Sequence, residues 1–225
     1  MKVLVVNDDS YEATGIKILV DALKKYVEVV VYAPSKCESA QGQKITIHKP
    51  IKVDKIDTFG VEAYKVDGST ADCVRLGIFN NKDIDLIISG VNQGLNIGQD
   101  IHYSSTIAGV IQAGLLGYRG VALSCDKNYD DVINQIDPII EEYIVNNDKH
   151  HNLLNINFPS AKFKTYKGIK ETVCGNRYFE NEFTYNDGCY LESDIMVDDY
   201  TRGTDSGEVA QGYVSVSKLT INKVI

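Results

Sequence analysis

A doubly wound α/β sheet is the architecture this sequence predicts, and three observations predict it. Short aliphatic runs of strand length alternate with amphipathic stretches of helix length. The runs are apolar nearly throughout, as parallel strands buried on both faces are. Polar, small-residue segments follow the strand-like runs directly, which is where such sheets bind ligands. The first run is Val3, Leu4, Val5 and Val6, followed by Asn7, Asp8, Asp9 and Ser10. Residues 15–25 then place Ile16, Leu19, Val20 and Leu23 at helical spacing. Residues 27–32 make a second strand, ended by Ala33 and Pro34, and so complete a β-α-β unit, which requires parallel pairing. Residues 71–80 predict a helix, 84–89 a strand, 105–116 a helix and 120–124 a strand. Residues 131–145 predict a helix carrying Ile133, Ile136, Ile140 and Ile144, and 153–158 a last strand stopped by Pro159. Residues 45–53 and 63–66 are strand-like with no helix between them, so a hairpin-type insertion is expected near 43–66.

Composition narrows the class. With 225 residues, 44% hydrophobic, 24% charged and four prolines, the chain has the size of one domain with an extension. A chain this long buries roughly 70% of the surface its unfolded form exposes. It therefore needs neither disulfides nor a structural metal. The five cysteines, Cys37, Cys73, Cys125, Cys174 and Cys189, are odd in number with no CxxC pair, and reduced thiols in a cytoplasmic protein are expected. The formal charge of -8 argues against duplex nucleic acid or an anionic membrane as partner. Neither a signal peptide nor a bilayer-spanning apolar stretch is expected.

After about residue 160 the texture changes. Six tyrosines and three phenylalanines fall in the last 65 residues, among glycine and aspartate turns. The chain is accordingly divided into a catalytic core, 1–160, and a β-rich extension, 161–225, whose aromatic surface is expected to pack on the sheet or on another subunit, with subunit assembly the favoured role.

The strand ends carry the chemistry. Asp8 and Asp9 are adjacent carboxylates at a buried strand end, where repulsion calls for a divalent cation or a shared proton. The segment after the strand ending at Ser89 holds Gly90, Gly94 and Gly98 with Asn92 and Asn96 between them. Those glycines permit close backbone approach, and the amides offer neutral donors or oxygen ligands. Neither GxGxxG nor a phosphate-loop GxxxxGK[ST] is present. Ser104, Ser105 and Thr106 open a helix, where hydroxyls and free N–H groups favour an anion. A divalent metal holding a phosphate fits this set, and oxygen-only ligation points to Mg²⁺, Mn²⁺ or Ca²⁺. His102 stands close enough to the loop to be a substrate contact. His150 and His151 lie in a polar stretch, and His48 in the insertion.

The motifs together resemble the SurE family. They are Asn7-Asp8-Asp9, Ala33-Pro34 with Ser39, Ala71-Asp72-Cys73-Val74, Ser89 through Gly98, and Tyr103-Ser104-Ser105-Thr106. Asn155-Ile156-Asn157-Phe158-Pro159, Gly203-Thr204-Asp205 and Gly212 through Val216 complete the set, in the family's order. The resemblance implies a Rossmann-like three-layer α/β/α core and a metal-dependent phosphatase acting on nucleoside 5′- and possibly 3′-monophosphates. It implies one divalent cation per subunit, Mg or Mn, on Asp8, Asp9, Ser39 and Asn92. Phosphate contacts are implied at Asn96, Ser104, Ser105 and Thr106, and a homodimer or homotetramer as the assembly. The family pattern has glycine where this chain has Ser10, Ala40 and Ser105, and proline where it has Thr14 and Thr70. Ser105 is expected to narrow the phosphate pocket.

The chemistry expected is attack of water on a phosphate monoester, with the metal as Lewis acid and Asp8 or Asp9 as base. A receiver-like signalling module also places an acid pair after its first strand. It would need an aspartate acceptor where this chain has Gly90, Val91 and Asn92. A non-catalytic nucleotide-binding protein is the other alternative.

Overall fold

The computed structural model describes residues 1–133, 135–146, 153–160, 162–163 and 165–221. Strands β1 (Lys2–Val6), β2 (Glu28–Pro34), β5 (Leu86–Gln93), β6 (Arg119–Cys125) and β7 (Leu153–Asn157) form the centre of one sheet. A short edge pair, β3 (Val53–Ile56) and β4 (Glu62–Val66), extends one side. On the other side β8 (Ile169–Thr172) and β11 (Val214–Leu219) extend it. The nine-stranded order is β3-β4-β2-β1-β5-β6-β7-β11-β8. β1 runs parallel to β2 and β5, and β5, β6 and β7 are parallel in turn. Within this sheet, among the described residues, the β3–β4 and β7–β11 pairings alone are antiparallel.

Alternation along β1 shows why both faces are covered. Val3 and Val5 join Ile16, Leu19 and Leu23 of α1 (Thr14–Leu23) in one core, which also takes in Ile136, Ile139 and Ile140. Leu4 and Val6 point to the opposite face, against Cys73, Val74 and Ile78 of α2 (Thr70–Asn80). Four fully buried aliphatic side chains in one short strand contribute on the order of 1.5–3 kcal/mol each. α2 begins at a reciprocal cap, in which Ser69 accepts from the Asp72 N–H and the Asp72 carboxylate accepts from the Ser69 N–H. α3 (Ser105–Leu115) packs on β5 and β6. The five cysteines are free thiols, as expected. Among the described residues no helix is long and apolar enough to cross a membrane.

Three elements differ from the expectations. The helix expected at 131–145 is broken into α4 (Asp130–Ile133), α5 (Ile136–Ile140) and a π-type turn (Glu141–Val145), with Ile133 exposed. Pro138 is the reason, since it lacks an N–H and is tolerated only in a first turn, so the helix restarts at Ile136. The strand expected at 45–53 exists only from Val53, because Pro50 interrupts the run and cannot donate to a ladder. Finally, the main sheet does not stop at residue 160. β8 and β11 belong to it, and only the two-stranded hairpin β9 (Tyr178–Asn186) and β10 (Cys189–Val197) stands apart. A helix of one and a half turns, α6 (Asp205–Ala210), precedes β11.

Candidate active site

The carboxyl ends of β1 and β5, the loop after β2 and the start of α3 surround a cavity of about 620 Å³. Asp8, Asp9, Ser39, Asn92, Asn96 and Ser104 all line it. Six of the eight residues singled out in the sequence are thus brought together, from four separate segments.

Asp8 is buried at the end of β1, where the Thr106 hydroxyl donates to its Oδ1 at 2.6 Å. The Thr106 backbone N–H faces it too. Burial pushes the carboxyl up to about 6, with the neighbouring Asp9 charge acting in the same direction and the Thr106 bonds opposing. Asp9 is also raised, by burial, and its Oδ2 is buried with no hydrogen-bond partner among the described residues. An orphaned carboxylate oxygen is costly unless something positive meets it. Asn92 donates from Nδ2 to the Gly94 carbonyl at 2.7 Å, which leaves its oxygen as the free end of the amide. Gly90, with φ of +136°, sits where the register of β5 against β6 shifts between Ser89 and Asn92. A side chain there would run into the Leu123 carbonyl.

Asn96 is the most constrained member. Its N–H donates to Asn157 Oδ1 at 2.8 Å and its Nδ2 to Ser124 Oγ at 2.8 Å. Its carbonyl accepts from Asn155 and Asn157 at 2.7 and 3.1 Å. One of the two Nδ2 hydrogens therefore remains for a ligand. Ser124, Asn155 and Asn157 were not among the expected site residues. The signal for the asparagines was their period-two placement in an otherwise apolar strand.

Ser105 and Thr106 do not line the cavity. The Ser105 hydroxyl donates to the Glu38 carbonyl at 2.6 Å and accepts from the Gln41 N–H at 3.0 Å. It ties down the loop that carries Ser39 and leaves the pocket unnarrowed. Thr106 points at Asp8, because the first turn of α3 abuts the end of β1 there. His102 is exposed and is not part of the lining, and His150 and His151 lie outside the described residues. The lining also includes residues not expected as site residues: Gln99, Asp100, Tyr103, Tyr178, Phe179 and Glu192.

The lining contains four carboxylates, Asp8, Asp9, Asp100 and Glu192, and no lysine, arginine or histidine among the described residues. No group of three or more His, Cys, Asp or Glu in ligating arrangement occurs among the described residues either. A cation here would be held by two carboxylates together with neutral oxygens.

Comparison with known proteins identifies the lineage of this arrangement. The family model "Survival protein SurE" matches residues 3–181. The chain belongs to the SurE family. The 5′-nucleotidase SurE of Aquifex aeolicus is 36% identical, over 97% of this chain and 92% of that protein. The 5′-nucleotidase SurE of Clostridium botulinum (strain ATCC 19397) is 34% identical over the same shares. The crystal structure of the Aquifex aeolicus SurE protein superposes with a TM-score of 0.81 at 33% identity, covering 97% of this chain and 93% of that one. The SurE fold, a mostly parallel sheet with flanking helices and added C-terminal strands, is therefore the fold of this chain. Its departures from the SurE pattern fall at backbone-critical points. Ser10 and Ala40 have φ of +102° and +55°, where glycine is unstrained. Thr14 and Thr70 are the first residues of α1 and α2, where proline is favoured.

Proposed function

We propose that this SurE-family chain is a metal-dependent phosphatase that hydrolyses nucleoside 5′-monophosphates, with nucleoside 3′-monophosphates as a second substrate class. The observation that carries the reading is the charge of the cavity. A phosphate dianion does not enter a site lined by four carboxylates and no basic side chain unless a cation offsets them. The donors fit such a cation, since Asp9 Oδ2 is buried without a partner and Ser39 and Asn92 add neutral oxygens to the two carboxylates. The all-oxygen set suits Mg²⁺ or Mn²⁺. Bound there, one such ion per subunit would supply positive charge and Lewis acidity toward the phosphoryl group.

The remaining work falls to the chain. Asp8 and Asp9 are the candidates for taking a proton from the attacking water. Asn96 Nδ2 and the Ser104 hydroxyl donate to phosphoryl oxygens, the positioning and electrostatic work that dominates phosphoryl transfer. Thr106 holds Asp8, and Ser105 holds the Ser39 loop. Tyr103, Tyr178 and Phe179 offer faces for a nucleobase.

The exposed apolar residues of the β9–β10 hairpin support assembly into a homodimer or homotetramer. The test of the activity is phosphate release from 5′- and 3′-mononucleotides with Mg²⁺, Mn²⁺ or EDTA. Release with either metal and none in EDTA is expected. Turnover that persists in EDTA, or nucleotide binding with no release under any condition, would overturn the reading.

A further inference from the structure

We infer that Asp205 is a positioning residue for the hydrolysis proposed above, on which this inference rests. It fastens the loop that follows Asn92 and bears Asn96 to the segment from which the β9–β10 hairpin starts.

Asp205 lies outside the cavity and is fully buried. Buried carboxylates persist where their oxygens are matched by donors, and here the donors come from both sides of a joint. Oδ2 accepts from the Gly98 N–H at 3.1 Å, and Oδ1 from the Gly175 N–H at 2.8 Å and its neighbour Ser206 at 2.7 Å. The Asp205 N–H is itself anchored on the Val173 carbonyl at 2.9 Å. Around this carboxylate the same two segments meet repeatedly. The Gln99 N–H donates to the Arg177 carbonyl at 2.8 Å, and the Cys174 thiol to the Gly98 carbonyl at 3.2 Å. Arg177 pairs with Asp100 at 3.5 Å. Gly98, at φ of +58°, fits so closely that a Cβ would meet the Arg177 backbone.

The joint has a direct bearing on the cavity. Asn92 at the end of β5 and Asn96 in the loop after it precede Gly98, while Tyr178 and Phe179 follow Arg177 immediately, and all four line the cavity. Asp205 therefore sets the spacing between the asparagine wall and the aromatic wall. An amide at 205 keeps the shape but turns an NH2 toward either the Gly98 N–H or the Gly175 and Ser206 N–H groups, so one side of the joint loses its acceptor.

The test uses the full-length chain with Mn²⁺ and a nucleoside 5′-monophosphate, comparing Asp205→Asn, Gly98→Ala, their double variant and Arg177→Gln. Asp205→Asn is expected to lower kcat/KM about tenfold, with part of the loss in kcat. Hydrogen exchange at the Gly98 and Gln99 amides speeds up while α3 stays protected. The double variant is no worse than the poorer single variant, because one joint is broken once; a purely destabilising role would give additive losses. Wild-type kcat/KM and exchange in Asp205→Asn, or additive losses, would overturn the inference. Should Asp205→Asn not fold, Arg177→Gln decides, as it removes the ion pairs to Asp100 and Asp198 and leaves the backbone bonds. About threefold lower kcat/KM with faster Gly98 exchange supports the joint, and wild-type behaviour in both rejects it. If the wild-type chain releases no phosphate, the functional proposal fails, and exchange at Gly98 alone judges the joint.

Discussion

The cavity at the carboxyl ends of β1 and β5 and the β9–β10 hairpin follow opposite rules. In the cavity, polar groups are withdrawn from water and matched inside the chain: Asp8 by Thr106, and Asn96 by Ser124, Asn155 and Asn157. On the hairpin, large apolar groups are left in water, with Phe183, Tyr185, Tyr190 and Leu191 all more than half exposed. The first arrangement is preorganised for a small polar ligand, and Asp9 Oδ2 is the conspicuous group still unmatched. The second fits the assembly proposed above, in which another protein surface would cover it. One chain thus shows how buried polarity and exposed apolarity mark two kinds of site.

The sharpest way to break that comparison is to neutralise the unmatched group. Asp9→Asn is expected to lower metal-dependent phosphate release by about 10²–10³-fold, the range seen when one electrostatic partner is removed from a preorganised site. The melting temperature should hold or rise, because the change removes a half-buried carboxylate whose charged form burial disfavours and whose Oδ2 has no hydrogen-bond partner among the described residues. Unfolding of the variant in a thermal melt would show that Asp9 is structural and that the cavity was complete without a ligand.

The hairpin gives the next largest effect, read in mass. Changing Tyr190 and Leu191 to glutamate together should reduce the particle to a monomer in light scattering. Both side chains are mostly exposed within the chain, so monomer stability should move by no more than about 0.5 kcal/mol per site. A wild-type chain that is already monomeric, or a double variant that keeps the wild-type mass, would remove the assembly half of the comparison.

A third prediction concerns pH and the metal-free protein. The Asp8 carboxyl, ordinarily near 3.8, is raised by burial to about 6. The folded state therefore binds more protons than the unfolded state between those values. The stabilisation from this group is full below about pH 4 and is lost as pH rises through 6, amounting to about 2–3 kcal/mol. Asp8→Asn should flatten that part of a stability-versus-pH curve measured in EDTA. A curve that rises between pH 4 and 6 through Asp8, and flattens on mutation, would mean the carboxylate is matched by a charge after all.

How much of this was legible in the sequence follows from which interactions are local. The central strands and α1 to α3 were readable because aliphatic runs and helical spacing are local patterns. Asp8, Asp9, Asn92 and Asn96 were readable because polar residues just beyond a buried strand have one place to go. The direction of a helix-start hydroxyl was not readable. Ser104, Ser105 and Thr106 are consecutive, yet one lines the cavity, one holds the Ser39 loop and one holds Asp8. Successive residues on a helix point about 100° apart, and only the packing of α3 against β5 and β6 fixes which is which. Likewise Tyr178, Phe179 and Glu192 reach the cavity because the hairpin folds back over it, a contact between distant segments that no local pattern encodes. The boundary at 160 missed β8 and β11, since a short strand reads as an extension until its partner is known.

The smallest effect tests the backbone side of the comparison. Ser10 and Ala40, both in loops at the cavity, hold φ of +102° and +55°. The hairpin turn also has positive φ, at Asp187 and Gly188, +47° and +80°. That turn is the ordinary two-residue type for which Asp-Gly is suited, so it stores little strain. Ser10 is different, because +102° lies well outside the small left-handed well open to residues with a Cβ. Ser10→Gly should therefore raise stability by about 1 kcal/mol, or roughly 2–4 °C in melting temperature. The gain is reduced somewhat by losing the Ser10 hydroxyl that accepts the Glu12 N–H at 3.3 Å. Ala40→Gly should gain less, since +55° sits inside that well and glycine's greater freedom in the unfolded chain offsets the relief. Asp187→Gly should give no gain. The order Ser10, Ala40, Asp187 in thermal melts would place the strain at the site and not in the arm, as strained residues held by a surrounding framework tend to cluster where a ligand is bound. Equal gains at all three positions would mean that the backbone does not distinguish the two regions, and that only their side chains do.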